Sequence, residues 1–350
     1  MEPELSIAGR RLAVGEPVYL IAEVGVNHDG SGSQALQLVE AAAEAGADAV
    51  KFQLFTPAEI VTAAAPTAIY QRETTGATDQ RAMLEQLTLT DDEFRRLKTA
   101  CAANKVDFLV SAFSPVDVER AMALGVPALK LGSGELTDPF VLEAAKQTGL
   151  PLLVSTGMAD EPTVAWAVER LAGAELLLFH CVSAYPAAEE ELNLRAMARL
   201  RERFSVSVGF SDHSFDNRAV MLSVALGAVT IEKHFTLDRN AAGPDHRASL
   251  DPAGFSELVQ SVRQAEAILG DGEKRLTPSE KDTQRVARKS LRVARELPAG
   301  HRLAKEDLLA KRPADGLDPR RVDEVIGRML ERPMTADEPL PKDFLKGKGL

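Results

Sequence analysis

The run Ala128-Leu129-Lys130-Leu131-Gly132-Ser133-Gly134 and its successor Pro151-Leu152-Leu153-Val154-Ser155-Thr156-Gly157 follow one pattern: mostly apolar residues, then hydroxyls and a glycine. Short apolar runs punctuated by Gly and Pro read as buried strands. Six more occur, at residues 17–27, 49–55, 107–113, 175–183, 205–214 and 228–236. Ala- and Leu-rich segments with apolar residues at helical spacing lie between such runs, as at 33–45, 91–104 and 163–172. Eight strand–helix repeats predict an α/β chain and favour a closed (β/α)8 TIM barrel over an open doubly wound sheet. No dinucleotide glycine fingerprint follows the first strand.

Beyond the helical pattern at 252–269 comes Gly270-Asp271-Gly272-Glu273-Lys274-Arg275 and then Thr277-Pro278-Ser279, polar punctuation that reads as a linker. From about Arg288 the pattern changes to short β-like runs, punctuated by Pro298-Ala299-Gly300, Arg312-Pro313 and Arg332-Pro333. The expected organisation is a barrel over 1–270, a linker over 271–287 and a small β-rich domain over 288–350. The length of 350 residues fits, since a barrel takes about 250.

With 45% hydrophobic and 27% charged residues, the chain can bury a large core. A formal charge of -11 argues against coating nucleic acid, so any anionic ligand must be met by a few local cations. No run of about 18 apolar residues occurs, and Met1-Glu2-Pro3-Glu4 lacks the features of a signal peptide. A cytoplasmic protein with no membrane partner is expected. Cys101 and Cys181 are too few for a disulfide framework and read as small buried hydrophobes.

In such a barrel the chemistry sits at the C-terminal ends of the strands, and here those ends are polar. They carry Glu23, Asn27 and His28; Lys51 and Gln53; Ser111; Lys130 and Ser133; Ser155 and Thr156; His180, Ser183 and Tyr185; Ser211, Asp212 and His213; and Glu232, Lys233 and His234. A lone barrel serine is usually a satisfied hydroxyl and a lone lysine is usually solvated, so the convergence on one rim carries the argument. Two lysines among hydroxyls suit a small polyanion, and phosphoenolpyruvate carries both a phosphate and a carboxylate. His213 and His234, on neighbouring strand ends, are placed to share a divalent metal with water and substrate oxygens. His28 and His180 have the plainer reading of hydrogen-bonded core or rim histidines.

At these residues the chain resembles N-acetylneuraminate synthases and their legionaminate, pseudaminate and spore-coat relatives. The resemblance rests on Ala22-Glu23-Val24-Gly25-Val26-Asn27-His28, Val50-Lys51-Phe52-Gln53, Lys130-Leu131-Gly132-Ser133-Gly134-Glu135 and Ser155-Thr156-Gly157-Met158. It continues through His180-Cys181, Tyr185-Pro186, Ser211-Asp212-His213-Ser214, Glu232-Lys233-His234-Phe235-Thr236 and 243–250. The tail, with Ser290-Leu291, Lys311-Arg312-Pro313 and Ile326-Gly327, is similar to the antifreeze-like (SAF) domain that ends such enzymes.

The resemblance implies condensation of phosphoenolpyruvate with an N-acyl amino sugar and water, giving a nine-carbon sialic-acid-type product and phosphate. It implies Lys51 and Ser211 on the phosphoenolpyruvate carboxylate, and Ser111, Lys130, Ser133 and Ser155 on its phosphate. Gln53, Tyr185 and Asp245 would face the sugar, Glu23 would be the acid/base or orienting carboxylate, and His213 and His234 would hold Mn2+, or alternatively Mg2+ or Co2+. A domain-swapped homodimer is implied too, with Arg312 reaching the partner's barrel. Ser183 and Ser111 stand where Asn or Thr is common in the family, and both keep a hydrogen-bonding oxygen. Two rival readings are a Schiff-base aldolase using Lys51 or Lys130, and a carbohydrate-binding protein without catalysis.

Overall fold

A computed structural model describes residues 5–62, 65–67, 72 and 75–346. The chain divides into two compact units, Met1–Asp271 and Gly272–Leu350.

The first unit begins with an antiparallel hairpin, β1 (Leu5–Ile7) and β2 (Arg10–Leu12). Eight parallel strands follow: β3 (Tyr19–Gly25), β4 (Ala49–Leu54), β5 (Asp107–Ala112), β6 (Leu129–Leu131), β7 (Leu152–Ser155), β8 (Leu176–His180), β9 (Ser207–Asp212) and β10 (Thr230–His234). Each falls within one of the eight runs read from the sequence. Pairing of β10 with β3 closes them into a barrel, which excludes the open sheet.

The period of two along each strand divides the apolar residues between two cores. Tyr19, Ile21, Ala49, Leu109, Leu153, Leu177 and Phe179 form an inner core with Leu5, Ile7 and Leu12 of the hairpin. Leu20, Ala22, Val50, Phe52, Val110, Leu131, Val154, Leu178 and Phe210 face outward, packing with Leu38, Leu97, Val141 and Leu258 of the surrounding helices. The inner core fills the half of the barrel towards the strand starts, and the lysines, serines and carboxylates of the later inward positions line the opposite end.

Several helices start where a capping residue precedes proline. Ser114, Asp138 and Asp251 cap helices whose first residues are Pro115, Pro139 and Pro252. Among the described residues, no helix is long and apolar enough to cross a membrane.

The second unit holds an antiparallel pair, β11 (Ser290–Val293) and β12 (Leu308–Lys311). Its core comprises Leu291, Val293, Leu297, Leu303, Leu317, Val325, Leu330, Met334 and Leu340. The segment expected to be a linker, 271–287, contains a helix, Glu280–Ala287. The punctuation at Thr277-Pro278-Ser279 is a helix start: the backbone N–H and hydroxyl of Thr277 both donate to the Glu280 carboxylate at 2.9 Å.

Candidate active site

The polar end of the barrel is built from strand residues of the inward set. Lys51 on β4 donates to Ser111 Oγ of β5 at 2.8 Å, and Lys130 on β6 donates to Ser155 Oγ of β7 at 2.7 Å. Both lysines are buried, so their charge must be met by protein or ligand. Glu232 of β10 supplies part of it, lying 3.5 Å from each ammonium and accepting a 2.9 Å hydrogen bond from Ser211. Glu23 lies 2.5 Å from the Lys51 ammonium.

The protonation states follow from that geometry. Burial alone would raise the Glu232 pKa, but Lys130 and Lys51 outweigh it and hold the carboxylate down at about 2. Burial would lower Lys51, and the facing charges of Glu23 and Glu232 reverse this and raise it. Lys130, with less carboxylate around it and Lys51 adding repulsion, is lowered, chiefly by burial. Glu23 is pushed up by burial, which Lys51 opposes and Glu232 reinforces. Two ammonium groups and two carboxylates are thus buried together, where electrostatic interactions are strong.

Beside this cluster lie further polar side chains. Gln53 Nε2 approaches Glu23 Oε1 at 3.4 Å. A Cβ built on Gly25 would meet Gln53, Glu23 and Asp245 at 3.1, 3.1 and 3.7 Å, and Gly25 has φ +56°, so its lack of a side chain lets these three groups converge. Burial, helped by the charge of Glu23, raises the Asp245 pKa to about 7. The Tyr185 ring centroid stands 4.2 Å from that of His213 and 5.8 Å from that of His234. Ser133 accepts from the Gly157 N–H at 3.0 Å and lies 3.4 Å from Cys181 Sγ. A Cβ on Gly157 would fall 2.2 Å from Ser183 Oγ, so Ser133, Ser183 and Cys181 crowd one backbone turn.

The two imidazoles fit a metal's needs. His213 Nδ1–H donates to Val182 O at 2.6 Å, which leaves Nε2 as a lone pair, 3.4 Å from Ser211 Oγ. His234 Nδ1 is buried without a hydrogen-bond partner, 4.0 Å from Asp245 Oδ2. Burial keeps both rings neutral: His213 is lowered, and His234, further disfavoured by His213 and Lys51, falls to about 3. The ring centroids are 5.7 Å apart. No group of three or more His, Cys, Asp or Glu among the described residues is arranged to hold an ion, so any metal here would rely on two imidazoles plus water or substrate oxygens.

The barrel therefore gathers Glu23, Lys51, Gln53, Ser111, Lys130, Ser133, Ser155, Ser183, Tyr185, Ser211, His213, His234 and Asp245. Arg312 belongs to the second unit, exposed just beyond β12. His180 Nε2 lies 2.7 Å from Leu192 O, and His28 is buried with its Nδ1 accepting from the Gly30 N–H, so each has a backbone hydrogen-bond partner. Both cysteines are buried, but Cys181 lines the site rather than the general core. Glu232 was visible as a strand-end carboxylate with no role assigned. Its alternation with His234 on β10 was the signal that it points inward.

The NeuB family model matches residues 38–274, and a SAF domain model matches 288–346. The N,N'-diacetyllegionaminic acid synthase of Legionella pneumophila is 37% identical over 326 residues, covering 91% of this chain and 92% of its own. The enzyme of the same name from Campylobacter jejuni is 36% identical, over 91% of this chain and 97% of its own. The crystal structure of an N-acetylneuraminic acid (sialic acid) synthetase from Leptospira borgpetersenii, in complex with citrate, superposes with a TM-score of 0.71 at 30% identity, covering 81% of this chain and 95% of that one. With its barrel and its small second unit both matched, the chain belongs to the NeuB family.

Proposed function

We propose that the chain is a nonulosonic acid synthase that condenses phosphoenolpyruvate with an N-acyl amino sugar, either N-acetylmannosamine or a diacetamido-trideoxyhexose. The observation that carries this reading is the pair of buried lysines, each on a serine hydroxyl, with Glu232 between them. Such an arrangement suits a small polyanion with two separated anionic groups. The relatives named above make sugars of the same class.

Lys130, Ser111, Ser133 and Ser155 take the phosphate, and Lys51 with Ser211 takes the carboxylate. Gln53, Tyr185, Ser183 and Asp245 orient the sugar. A divalent cation on His213 and His234, Mn2+ before Mg2+ or Co2+, would supply Lewis-acid polarisation of the sugar aldehyde. Carbon 3 of phosphoenolpyruvate forms a bond to the aldehyde carbon while the aldehyde oxygen takes up a proton. Water adds at carbon 2, and the carbon–oxygen bond to phosphate breaks, releasing inorganic phosphate. Glu23, its pKa raised by burial, is the group that moves or holds the proton. We further propose a homodimer in which Arg312 serves the partner's barrel, a reading supported by the resemblance to swapped dimers.

The test is phosphate release from phosphoenolpyruvate over a panel of unphosphorylated and 6-phosphorylated amino sugars. No sugar-dependent release would sink the reading. One observation favours a second: burial lowers the Lys130 pKa, a property a Schiff-base nucleophile needs. Borohydride inactivation in the presence of pyruvate would select that aldolase.

A further inference from the structure

The outward face of the barrel strands is apolar on almost every strand, yet Asp212 of β9 and Lys233 of β10 stand there as a charged pair. Both are fully buried, at 1% exposure, and directly opposite in register. Lys233 Nζ donates to Asp212 Oδ2 at 2.7 Å and to Ser214 O at 2.5 Å. Asp212 Oδ1 accepts from the Ser214 N–H at 2.9 Å. The ammonium is thus tied to the residue before His213 and to the residue after it, and it belongs to the residue before His234. Since Lys233 and Asp212 point out, His213 and His234 point in.

A buried ion pair is weak evidence for a stability role, because well-packed apolar residues of similar volume often hold a fold as well. An apolar pair, however, would fix nothing at Ser214, where the chain leaves β9 just past His213. We infer that Lys233, Asp212 and the Ser214 backbone form a clamp that sets the position of the two imidazoles relative to one another. They are positioning residues and touch neither substrate nor metal. The inference rests on the metal reading of the His213–His234 pair.

The variant that tests it replaces both charges, Asp212→Leu with Lys233→Met, so that no unpaired charge is left buried. Lys233→Met alone leaves Asp212 uncompensated and serves as a control for misfolding. The expected result for the double variant is an unchanged far-ultraviolet dichroism spectrum and cooperative melting without metal. Its affinity for Mn2+, read by the paramagnetic resonance of free ion, falls 10- to 100-fold, the usual effect of losing an outer-sphere support. Phosphoenolpyruvate binding without metal falls far less than Mn2+ affinity, since Lys51, Lys130, Ser111 and Ser155 lie on other strands and only Ser211 shares β9 with Asp212. Mn2+ affinity within twofold of the parent in the folded double variant overturns the clamp.

If the parent itself binds neither Mn2+ nor another divalent ion, the metal reading fails, and the clamp is judged on the metal-free proteins. Nitrogen-15 signals of the histidine rings then show His213 locked as the Nδ1–H tautomer in the parent and exchanging between tautomers in the double variant. Identical signals overturn it. Should the double variant not fold, Lys233→Gln with Asp212→Asn, which keeps hydrogen bonds at both positions, is judged by the same readouts.

Discussion

Lys130 Nζ reaches Ser155 Oγ at 2.7 Å, from one barrel strand to the next, and both residues are buried. A buried ammonium held by one hydroxyl and by a carboxylate 3.5 Å away that it shares with a second lysine has spare capacity for an anion. Lys51 makes the same contact with Ser111 at 2.8 Å but is also met by Glu23 at 2.5 Å.

Lys130→Ala and Lys51→Ala should therefore weaken use of phosphoenolpyruvate far more than use of sugar. Loss of a charge-assisted hydrogen bond costs about 1.5–3 kcal/mol, so the KM for phosphoenolpyruvate should rise on the order of tenfold or more. Steady-state kinetics with each substrate varied in turn reads this directly. A KM for phosphoenolpyruvate that stayed put while that for the sugar rose would show the subsites to be reversed.

Chelation should abolish turnover, and His213→Ala or His234→Ala should do the same with the dichroism spectrum unchanged. The basis is the pair of neutral rings, one oriented by Val182 O and the other without a hydrogen-bond partner at Nδ1. Adding Mn2+ back should restore the parent and neither variant. Full turnover of a protein shown by elemental analysis to carry no metal would remove the cation from the mechanism.

The strands were legible because each is a short apolar run, buried on both faces and set off by turn residues, and the site was legible because polar residues gather at one end of all of them. Glu232 was not assigned, since a carboxylate in a pocket meant for an anion makes sense only once both lysines are seen facing it. Lys233 looked like one more rim cation. Strand register turns it outward onto Asp212, a pairing between strands that no local pattern displays. The helix Glu280–Ala287 was hidden because it buries none of its residues, so the apolar periodicity that marks other helices is missing.

The second unit should lose protection in acid through Asp307. Its buried carboxylate accepts from the Ala304 N–H at 3.0 Å, stands 2.7 Å from His301 Nε2, and takes a 2.6 Å hydrogen bond from Arg295. Those contacts, the Ala304 N–H first, hold its pKa down at about 2. An unfolded Asp titrates near 3.9, so the stabilisation is complete above about pH 4 and lost as pH falls through about 2. Hydrogen exchange at β11 and β12, corrected for intrinsic rates, should lose protection over that window. Asp307→Asn should show reduced protection at neutral pH and a smaller step between about pH 4 and 2, Asp318 of the same unit also being held down at about 2 by Arg320. A parent-like acid step in that variant would assign the titration elsewhere.

Arg312 sits in the second unit, exposed, and its proposed service to the partner's barrel can be decided by mixing subunits. An isolated exposed arginine is most often a solvated cation, and on that reading Arg312→Ala would be nearly silent. On the dimer reading, Arg312→Ala and Glu23→Ala are each nearly inactive alone. Let the two exchange subunits, with a mass tag to follow the exchange. If Arg312 acts in trans, a mixed dimer has one barrel with intact Glu23 served by the one tail with intact Arg312. If it acts in cis, every site carries one lesion. Random exchange makes about half the dimers mixed, each with one working site of two, so activity should return to roughly a quarter of the parent under two-fold symmetry. Exchange without recovery would refute the trans arrangement, and an active Arg312→Ala protein would return the residue to the surface.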